Sequence, residues 1–446
     1  MRAAILGMGL SGLGALKLSL LKGYETIAID KKKFSELSKE ARKAIGKKAQ
    51  FFEESKSLKI LEDVDILIVS PGISKDNKVI KKAKQLKKKI ISEIEFGYLH
   101  CKGKIVAITG SNGKTTTTSM VYSIFKSHFK DVRLGGNIGI SFSETVIDSN
   151  ENTIFVLELS SFQLEDIETF KPNTAVLLNL TPDHQDRYER FEDYCKAKIN
   201  IFRNQTRFDF AVINRFDDGI KRYEPFIKAK KFFFSSAPHK CKGAFIKGSA
   251  VFLRKNSKET EELFEIKALK VKGPHNLENA MAAAVASYLN GVPSEKIRES
   301  LKTFSPLPHR LEYVATINGA DFYNDSKATN TDSVKKALLS FEKNVTLLLG
   351  GKDKGANFKE LEEEVLKRCK KVICFGAARN KVQKTFEGKI KTECFKTLKE
   401  AVQNQIKTAE KGDIVLLSPA CASFDEFNNF EDRGEKFKEW ILKGRK

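Results

Sequence analysis

Between Ala107 and Phe125 the sequence reads AITGSNGKTTTTSMVYSIF: an apolar strand, a glycine-rich turn, then a helix. At such a junction consecutive backbone N–H groups can wrap a phosphate, and the helix N-terminus adds partial positive charge. Gly110, Ser111, Asn112, Gly113, Lys114, Thr115 and Thr116 form this loop. Lys114 can bridge the outer phosphates of a nucleotide and the Thr115 hydroxyl can hold Mg²⁺. The pattern departs from G-x-x-x-x-G-K-[ST], because Ile108 stands where the first glycine belongs. The phosphate is held by the last turn entering the helix, so a loop whose other glycine is Gly110 can still grip a nucleotide.

A Mg²⁺ ion there needs further oxygen ligands. VLELSSFQL places Glu158 at the end of a strand, with Ser160 and Ser161 beside it, and NLTPDHQDRY places His184 after the next strand. Open α/β sheets collect ligands at the carboxyl ends of their strands. Either residue alone reads as an ordinary strand-terminal acid or turn histidine; beside the phosphate loop both read as metal-site residues. A second glycine cluster, Gly7-x-Gly9-x-x-Gly12, follows the first strand, and Asp30 closes the next one, the spacing of a dinucleotide fold. By itself that cluster fits a nicotinamide-dependent oxidoreductase. The downstream phosphate loop argues instead for two phosphorylated ligands on different domains.

The elements that must position these residues repeat one pattern. AAIL, TIAI, DILIVSPG and KIIS are strands separated by helical stretches, which predicts βαβ units and a parallel sheet. A second series contains KIVAITG, TIFVLELSS and NTAVLLNLTPDH, followed around residues 231–266 by short strands expected to form an antiparallel insertion, and then by the helical NLENAMAAAVASYLNG. SPLPHR, Ser305–Arg310, reads as a linker, beyond which VTLLLGG, KVICFG and DIVLLSPA form a third series. The 446 residues suit about three domains.

Bulk composition narrows the function. Hydrophobic content of 41% and charged content of 30% describe a soluble globular chain. There is no run of about 18 apolar residues, so no membrane span is expected. The glycine-interrupted N-terminus reads as folded structure, not as a signal peptide. Seven cysteines without a C-x-x-C pair fit a reducing cytoplasm and neither a disulfide framework nor a zinc site. The net charge of +22 could serve nucleic acid, but no RNP motif, helix-turn-helix cue or basic–aromatic interleaving accompanies it. Small polyanionic substrates are the better match.

GSNGKTT, ELSSFQL, DHQDRY, GPHNLEN, PHR and DSKATN occur in the order seen in the Mur ligases and the related folylpolyglutamate synthetases. With GMGLSG and SPGI near the N-terminus and SPACASFDEF near the C-terminus, the chain resembles the Mur ligases over nearly its whole length. It is most similar to the branch that adds D-glutamate, since the D-N-P-R type motif of members adding diaminopimelate or lysine is missing. The absent first glycine of the phosphate loop is normal in this family.

The resemblance implies an N-terminal Rossmann-like domain over 1–98 for the UDP-substrate, a central P-loop-type ATPase α/β domain over 99–304 with the small antiparallel insertion, and a C-terminal Rossmann-like domain over 305–446 for the amino acid. It implies ATP-dependent addition of D-glutamate to UDP-N-acetylmuramoyl-L-alanine through an acyl phosphate, in cytoplasmic peptidoglycan precursor synthesis. ATP and two Mg²⁺ ions would serve a monomer with no nucleic-acid or membrane partner. Another ligase of the superfamily, or a folylpolyglutamate synthetase-like enzyme, is the nearest alternative.

By the same resemblance, Lys114 and Thr115 grip the nucleotide and Mg²⁺, Glu158 is a metal ligand and His184 lies near a second metal. Lys198 in YCKAKINIF matches a family lysine that is carbamylated, which converts an ammonium into an oxygen donor. Asn276, Asn279, Arg310 and Asp325 contact ATP. Leu10, Ser11, Asp30, Lys31 and the Ser70-Pro71-Gly72 loop match the uridine region, with Asn137, Ser160 and His184 toward the sugar diphosphate. Lys327, Thr329, Lys354, Ser423, Phe424 and Phe430 fall on the D-glutamate region. GGKDKGANF offers both Lys352 and Lys354, and the spacing to Phe358 favours Lys354.

Overall fold

The computed structural model describes residues 1–183, 187–271, 273–305 and 307–444. Their strands form three sheets, as the three α/β series predict. The first contains β1 (Arg2–Leu6), β2 (Glu25–Asp30), β3 (Gln50–Glu53), β4 (Ile66–Val69) and β5 (Lys89–Ser92) in the order β3-β2-β1-β4-β5, all paired in parallel. β1 is followed on one side by β2 and β3 and on the other by β4 and β5, so the topological switch lies between β1 and β4. The loops after those two strands, Gly7–Leu10 and Ser70–Gly72, border the crevice where such sheets bind ligands.

The central sheet runs β14-β13-β12-β11-β10-β9-β6-β8-β7. Its members are β6 (Lys104–Thr109), β7 (Val132–Gly136), β8 (Ile154–Glu158), β9 (Thr174–Leu177), β10 (Phe210–Asn214), β11 (Lys230–Phe234), β12 (Gly243–Lys247), β13 (Ala250–Arg254) and β14 (Thr260–Glu265). Strand β6 is buried except at its first residue and lies between β8 and β9, so its carboxyl end is again a switch point. The segment expected to be an antiparallel insertion extends this same sheet. β11 pairs in parallel with β10, and antiparallel pairing sets in at the hairpin β12–β13, where Gly248 takes φ +61° in the two-residue turn.

The third sheet, in the order β15-β16-β20-β17-β18-β19, comprises β15 (Glu312–Ile317), β16 (Ala320–Asn324), β17 (Val345–Gly350), β18 (Cys369–Phe375), β19 (Thr392–Cys394) and β20 (Ile414–Ala420). Here β16, β20 and β17 are parallel neighbours, so the loops that follow them open at one edge. Apart from the β15–β16 hairpin these strands are parallel, and β17 and most of β20 are buried, which is why VTLLLGG and IVLLSPA read as unbroken apolar runs.

By compactness, residues 1–180, 192–264 and 280–300 form one unit, and residues 181–191, 265–279 and 301–446 form a second. Within the first unit, the helix Glu93–Leu99 ties the first sheet to the central one. Glu95 is fully buried and accepts hydrogen bonds from the N–H groups of Glu168, Thr169 and Phe170 and from the Thr169 hydroxyl. Glu93 accepts the Ser143 N–H at 2.6 Å, while its Oε2 is buried with no hydrogen-bond partner among the described residues. Burial therefore pushes the Glu93 carboxyl from an ordinary 4.5 up to about 7.

That shift has a consequence for stability. The folded state holds the Glu93 proton more tightly than the unfolded chain, so this contribution is complete below an unfolded value of 4.5 and is lost as pH rises through about 7. Glu93→Gln cannot ionise yet keeps an acceptor for the Ser143 N–H. Unfolding free energies from urea titrations should fall less between about pH 5 and about pH 8 in this variant than in wild type, by an amount on the order of 2 kcal/mol. Identical slopes for the two proteins would contradict this assignment.

Candidate functional site

The phosphate loop leaves the carboxyl end of β6. Gly113 takes φ +84° and precedes the helix Lys114–Lys126 without a side-chain cap. A residue with a β-carbon is strained in that left-handed conformation, and the helix N-terminus that follows brings partial positive charge to the loop. The loop is clamped from the end of β9: the N–H groups of Ser111 and Asn112 donate to Asn179 O and Oδ1 at 2.9 and 2.8 Å. Asn179 Nδ2 donates back to Asn112 O at 3.0 Å. The Tyr194 hydroxyl donates to Ser111 Oγ at 3.0 Å.

Two ammonium groups converge on this loop. Lys114 Nζ donates to Gly110 O and Ser111 O, both at 2.9 Å. Lys198, only 2% exposed, donates from Nζ to the same Gly110 O at 2.9 Å and lies 4.8 Å from the Tyr194 ring centroid. Two cations sharing one carbonyl repel each other by about 3 kcal/mol at an effective dielectric of about 20. A polyanion bound in the loop would offset that repulsion.

Glu158 ends β8 and is 1% exposed. Its Oε1 accepts the Asn137 amide at 2.7 Å, the Asn137 N–H donates to its main-chain oxygen at 2.8 Å, and its Oε2 is buried without a partner among the described residues. An unpaired buried carboxylate oxygen is costly unless something positive meets it. With the Thr115 hydroxyl it offers the hard oxygen donors that Mg²⁺ prefers, so the residues present fit that ion. Among the described residues no three His, Cys, Asp or Glu side chains gather into a metal centre. His184 lies outside the described residues. Asn137, expected near the sugar, spends its amide on Glu158, and Ser160 caps the helix Ser161–Leu164 in a capping box with Gln163.

At the first sheet's crevice Asp30 also has a local task. One carboxylate oxygen accepts the Met8 N–H at 2.6 Å, fixing the glycine loop, and the other accepts the Lys32 N–H at 2.9 Å in the turn after β2. Ser70 Oγ donates to Gly7 O at 2.9 Å, joining the two loops at the switch point. Leu10 is 72% exposed beside them. Ser11 is half-buried, Lys31 and Gly72 are exposed, and Pro71 is half-buried.

The third sheet gathers the remaining residues within the second unit. Lys327 and Thr329 follow β16, Lys354 follows β17, and Ser423, Phe424 and Phe430 follow β20. Lys327 Nζ sits 3.6 Å from the Phe430 ring centroid. Thr329 and Lys354 line an open pocket with Asp183, Asn330, Thr331, Asn357 and Glu360. Lys352 is instead tied through its backbone to Ala422, at 2.8 and 3.0 Å. Ser423 is buried, whereas Phe424 is 62% exposed.

Asp325 is buried at the start of the same loop. Its oxygens accept the Leu311 N–H at 3.2 Å and the Ser418 hydroxyl at 2.8 Å, and burial raises its carboxyl to about 7. Arg310 stands between His309 (φ +62°) and Leu311 (φ +45°), a strained pair for residues other than glycine. Asn279 Nδ2 donates to Asn276 Oδ1 at 3.2 Å. Their neighbour His275 is driven down to about 4 by burial, with the Lys336 and Arg310 cations adding to the effect.

Several supporting residues carry no mark in the sequence. Arg433 is fully buried in the helix Phe430–Lys443 and braces two loops, donating to Ser326 Oγ, Ser326 O and Cys421 O at 2.9, 2.7 and 3.1 Å. In a helix reading FEDRGEKFKEW it looks like one more solvated cation. Asn179 and Tyr194 lie inside quoted motifs, but nothing local shows that they grip the loop.

Comparison with known proteins covers the whole chain. Residues 1–92 match a family model described as Mur ligase MurD-like, N-terminal domain; residues 108–287 match the Mur ligase middle domain; residues 309–421 match the Mur ligase, glutamate ligase domain. A UDP-N-acetylmuramoylalanine–D-glutamate ligase of Caldicellulosiruptor bescii is 40% identical over 445 residues, 98% of this chain and 96% of that protein. The protein of the same name from Aquifex aeolicus is 38% identical, covering 99% of this chain and 98% of its own length. Among solved structures, a pseudomurein peptide ligase type C from Methanothermus fervidus superposes with TM-score 0.64 at 17% identity over 99% of this chain and all of its own. A MurF ligase from Thermotoga maritima in complex with ADP gives 0.61 at 18% identity, covering 99% and 95%. At such identities the structural likeness is one of fold.

Proposed function

The chain belongs to the Mur ligase family, and from that premise we infer that it joins D-glutamate to the L-alanine carboxylate of UDP-N-acetylmuramoyl-L-alanine, converting ATP to ADP and phosphate. The observation that carries this reading is the full-length match, at about two-fifths identity, to ligases named for that reaction. Among the described residues no helix is long and apolar enough to cross a membrane.

A carboxylate is a poor acyl donor, because its carbon is electron-rich and oxide cannot leave. In the proposed route a carboxylate oxygen of the acceptor attacks the γ-phosphorus of ATP and ADP departs, giving an acyl phosphate. The deprotonated amine of D-glutamate attacks the acyl carbon. The tetrahedral adduct then gives up a proton from nitrogen to solvent and collapses to the amide, expelling phosphate. Two anions must meet in the first step, so catalysis is chiefly positioning and charge stabilisation.

In this reading the backbone of Gly110–Thr116 cradles the ATP phosphates and Lys114 moves from its own loop carbonyls to the transferring group. Mg²⁺ would be held by the Thr115 hydroxyl and Glu158, would be completed by His184 and a carbamylated Lys198 if a second ion is present, and would supply positive charge to the phosphoryl oxygens. A carbamylated Lys198 keeps one N–H for the Gly110 carbonyl while gaining carboxylate-like oxygens. Asn137 orients Glu158. By the family resemblance, Asn276, Asn279, Arg310 and Asp325 would contact ATP. Leu10, Ser11, Asp30, Lys31 and the Ser70–Gly72 loop would frame the uridine nucleotide at the first sheet's switch point. Lys327, Thr329, Lys354, Ser423, Phe424 and Phe430 would receive the amino acid, whose two carboxylates suit two lysines.

A panel of single amino acids with Mg-ATP and UDP-N-acetylmuramoyl-L-alanine, read by phosphate release, tests the reading. D-glutamate alone should support release; release with L-glutamate or diaminopimelate but not D-glutamate would refute the assigned specificity. Within the pocket, Lys354→Ala should raise the KM for D-glutamate by about 10- to 100-fold, the worth of one charge-assisted hydrogen bond. The KM for the UDP-substrate should stay unchanged, and Lys352→Ala should be close to wild type. A larger effect at Lys352 would reassign the carboxylate contact.

A further inference from the structure

The helix Leu10–Leu21 begins at the glycine loop of the first sheet and packs, one turn in, against the segment that follows Asn137. The contact is made by Gly14. A β-carbon there would lie 1.8 Å from Ser141 Oγ, 3.0 Å from Ser141 Cβ and 3.2 Å from Glu144 Cβ. Ser141 cannot simply turn away, because its hydroxyl caps the helix Phe142–Thr145 by accepting the Glu144 N–H at 3.3 Å. One turn further along, Lys17 Nζ pairs with Glu144 Oε1 at 2.5 Å. The same short helix is also held by buried Glu93, which accepts the Ser143 N–H.

The chain is short on both sides of this contact. Gly14 stands about 6 Å along its helix from the loop at the switch point of the first sheet. Ser141 stands four residues beyond Asn137, whose amide holds Glu158, and the Gly136 N–H donates to Ile140 O at 2.9 Å to close the intervening turn. A displacement of Ser141 therefore reaches Asn137 with little slack.

We propose that Gly14 is a positioning residue: its missing side chain sets the separation between the sugar-nucleotide loop and the Asn137–Glu158 pair, and thereby the alignment of acceptor carboxylate and γ-phosphate. The inference rests on the ligase reading above. A β-carbon at this point pushes the two sheets apart without touching a substrate. The expected signature is a loss in kcat with binding preserved, because each ligand keeps its own loop while their mutual alignment is lost.

The test is a size swap. Gly14→Ala should lower kcat for D-glutamate-dependent phosphate release on the order of 10- to 100-fold, the cost of a misplacement near 1 Å. The KM values for ATP and the UDP-substrate should stay within about twofold, since none of their contacts changes. Adding Ser141→Gly removes the two nearest of the three atoms that a β-carbon at position 14 would meet, leaving Glu144 Cβ at 3.2 Å, and should restore most of the rate. Ser141→Gly alone should be nearly silent, since glycine is tolerated as a helix cap. Full activity of Gly14→Ala, no rescue in the double variant, or KM losses that match the kcat loss would each overturn the proposal. Hydrogen exchange of the amides in residues 136–145 reads the same contact without substrate: faster in Gly14→Ala and restored in the double variant supports it, and no change refutes it. Failure of the wild type to release phosphate with D-glutamate would refute the ligase reading alone, leaving the exchange measurement to decide on the contact.

Discussion

Lys114→Ala should abolish turnover, with kcat lowered about 10³-fold or more, while the dissociation constant of the UDP-substrate changes by less than about twofold. The size of the effect follows from what the ammonium does. It lies over the phosphate loop, 2.9 Å from two of the loop's own carbonyls, and is the flexible cation best placed to follow the γ-phosphate during transfer. Phosphoryl transfer concentrates charge on oxygens that the backbone N–H groups alone cannot neutralise. The UDP-substrate, by contrast, is assigned to loops at the carboxyl ends of β1 and β4, which do not include Lys114. Direct calorimetric binding separates the two terms. Equal loss of turnover and of UDP-substrate affinity would contradict the division of labour between the sheets.

Lys198→Ala should lower kcat on the order of 10²- to 10³-fold and weaken the response to Mg²⁺, and short carboxylates such as formate or acetate should restore part of the rate. A lysine this buried has little reason to be there as a surface cation. It is 2% exposed, flanked by Tyr194, and bonded to Gly110 O at the base of the phosphate loop. An ammonium in that place braces the loop. A carbamate would in addition bring oxygen donors to the phosphate loop, where the ammonium already reaches Gly110 O. Rescue by an exogenous carboxylate separates these roles, because formate can replace an oxygen donor and cannot replace a brace. Unchanged activity in Lys198→Ala would remove the lysine from the mechanism.

The features legible in the sequence were those written in local pattern. The phosphate loop, the strand-terminal Glu158 and the glycine cluster after β1 announce themselves through residue spacing along a single strand–turn–helix. Buried parallel strands such as β17 and β20 are apolar without interruption and are equally plain. Edge strands are not: β3 has no fully buried residue, and β19 spans three residues, so neither presents a periodicity.

What the sequence withholds is how polar side chains are spent across the fold. Asp30 matches the ribose-binding position of a dinucleotide fold by spacing, yet one of its oxygens holds the glycine loop at Met8 and the other accepts the Lys32 N–H. Asn137 lies in a motif that pointed to the sugar, yet its amide serves Glu158. Arg433 and Asn179 became visible only once distant loops were brought to them. The hairpin within residues 231–266 was legible as antiparallel, but its continuity with the central sheet depends on β11 pairing with β10, which no local signal encodes.

The central claim is that the acceptor's carboxyl oxygen is phosphorylated before the amine attacks. UDP-N-acetylmuramoyl-L-alanine labelled with ¹⁸O in that carboxylate, incubated with the enzyme, Mg-ATP and D-glutamate, tests it directly. The account predicts one labelled oxygen in each phosphate released, with phosphate and amide formed in equal amounts. Phosphate that emerges unlabelled while the amide accumulates would contradict it.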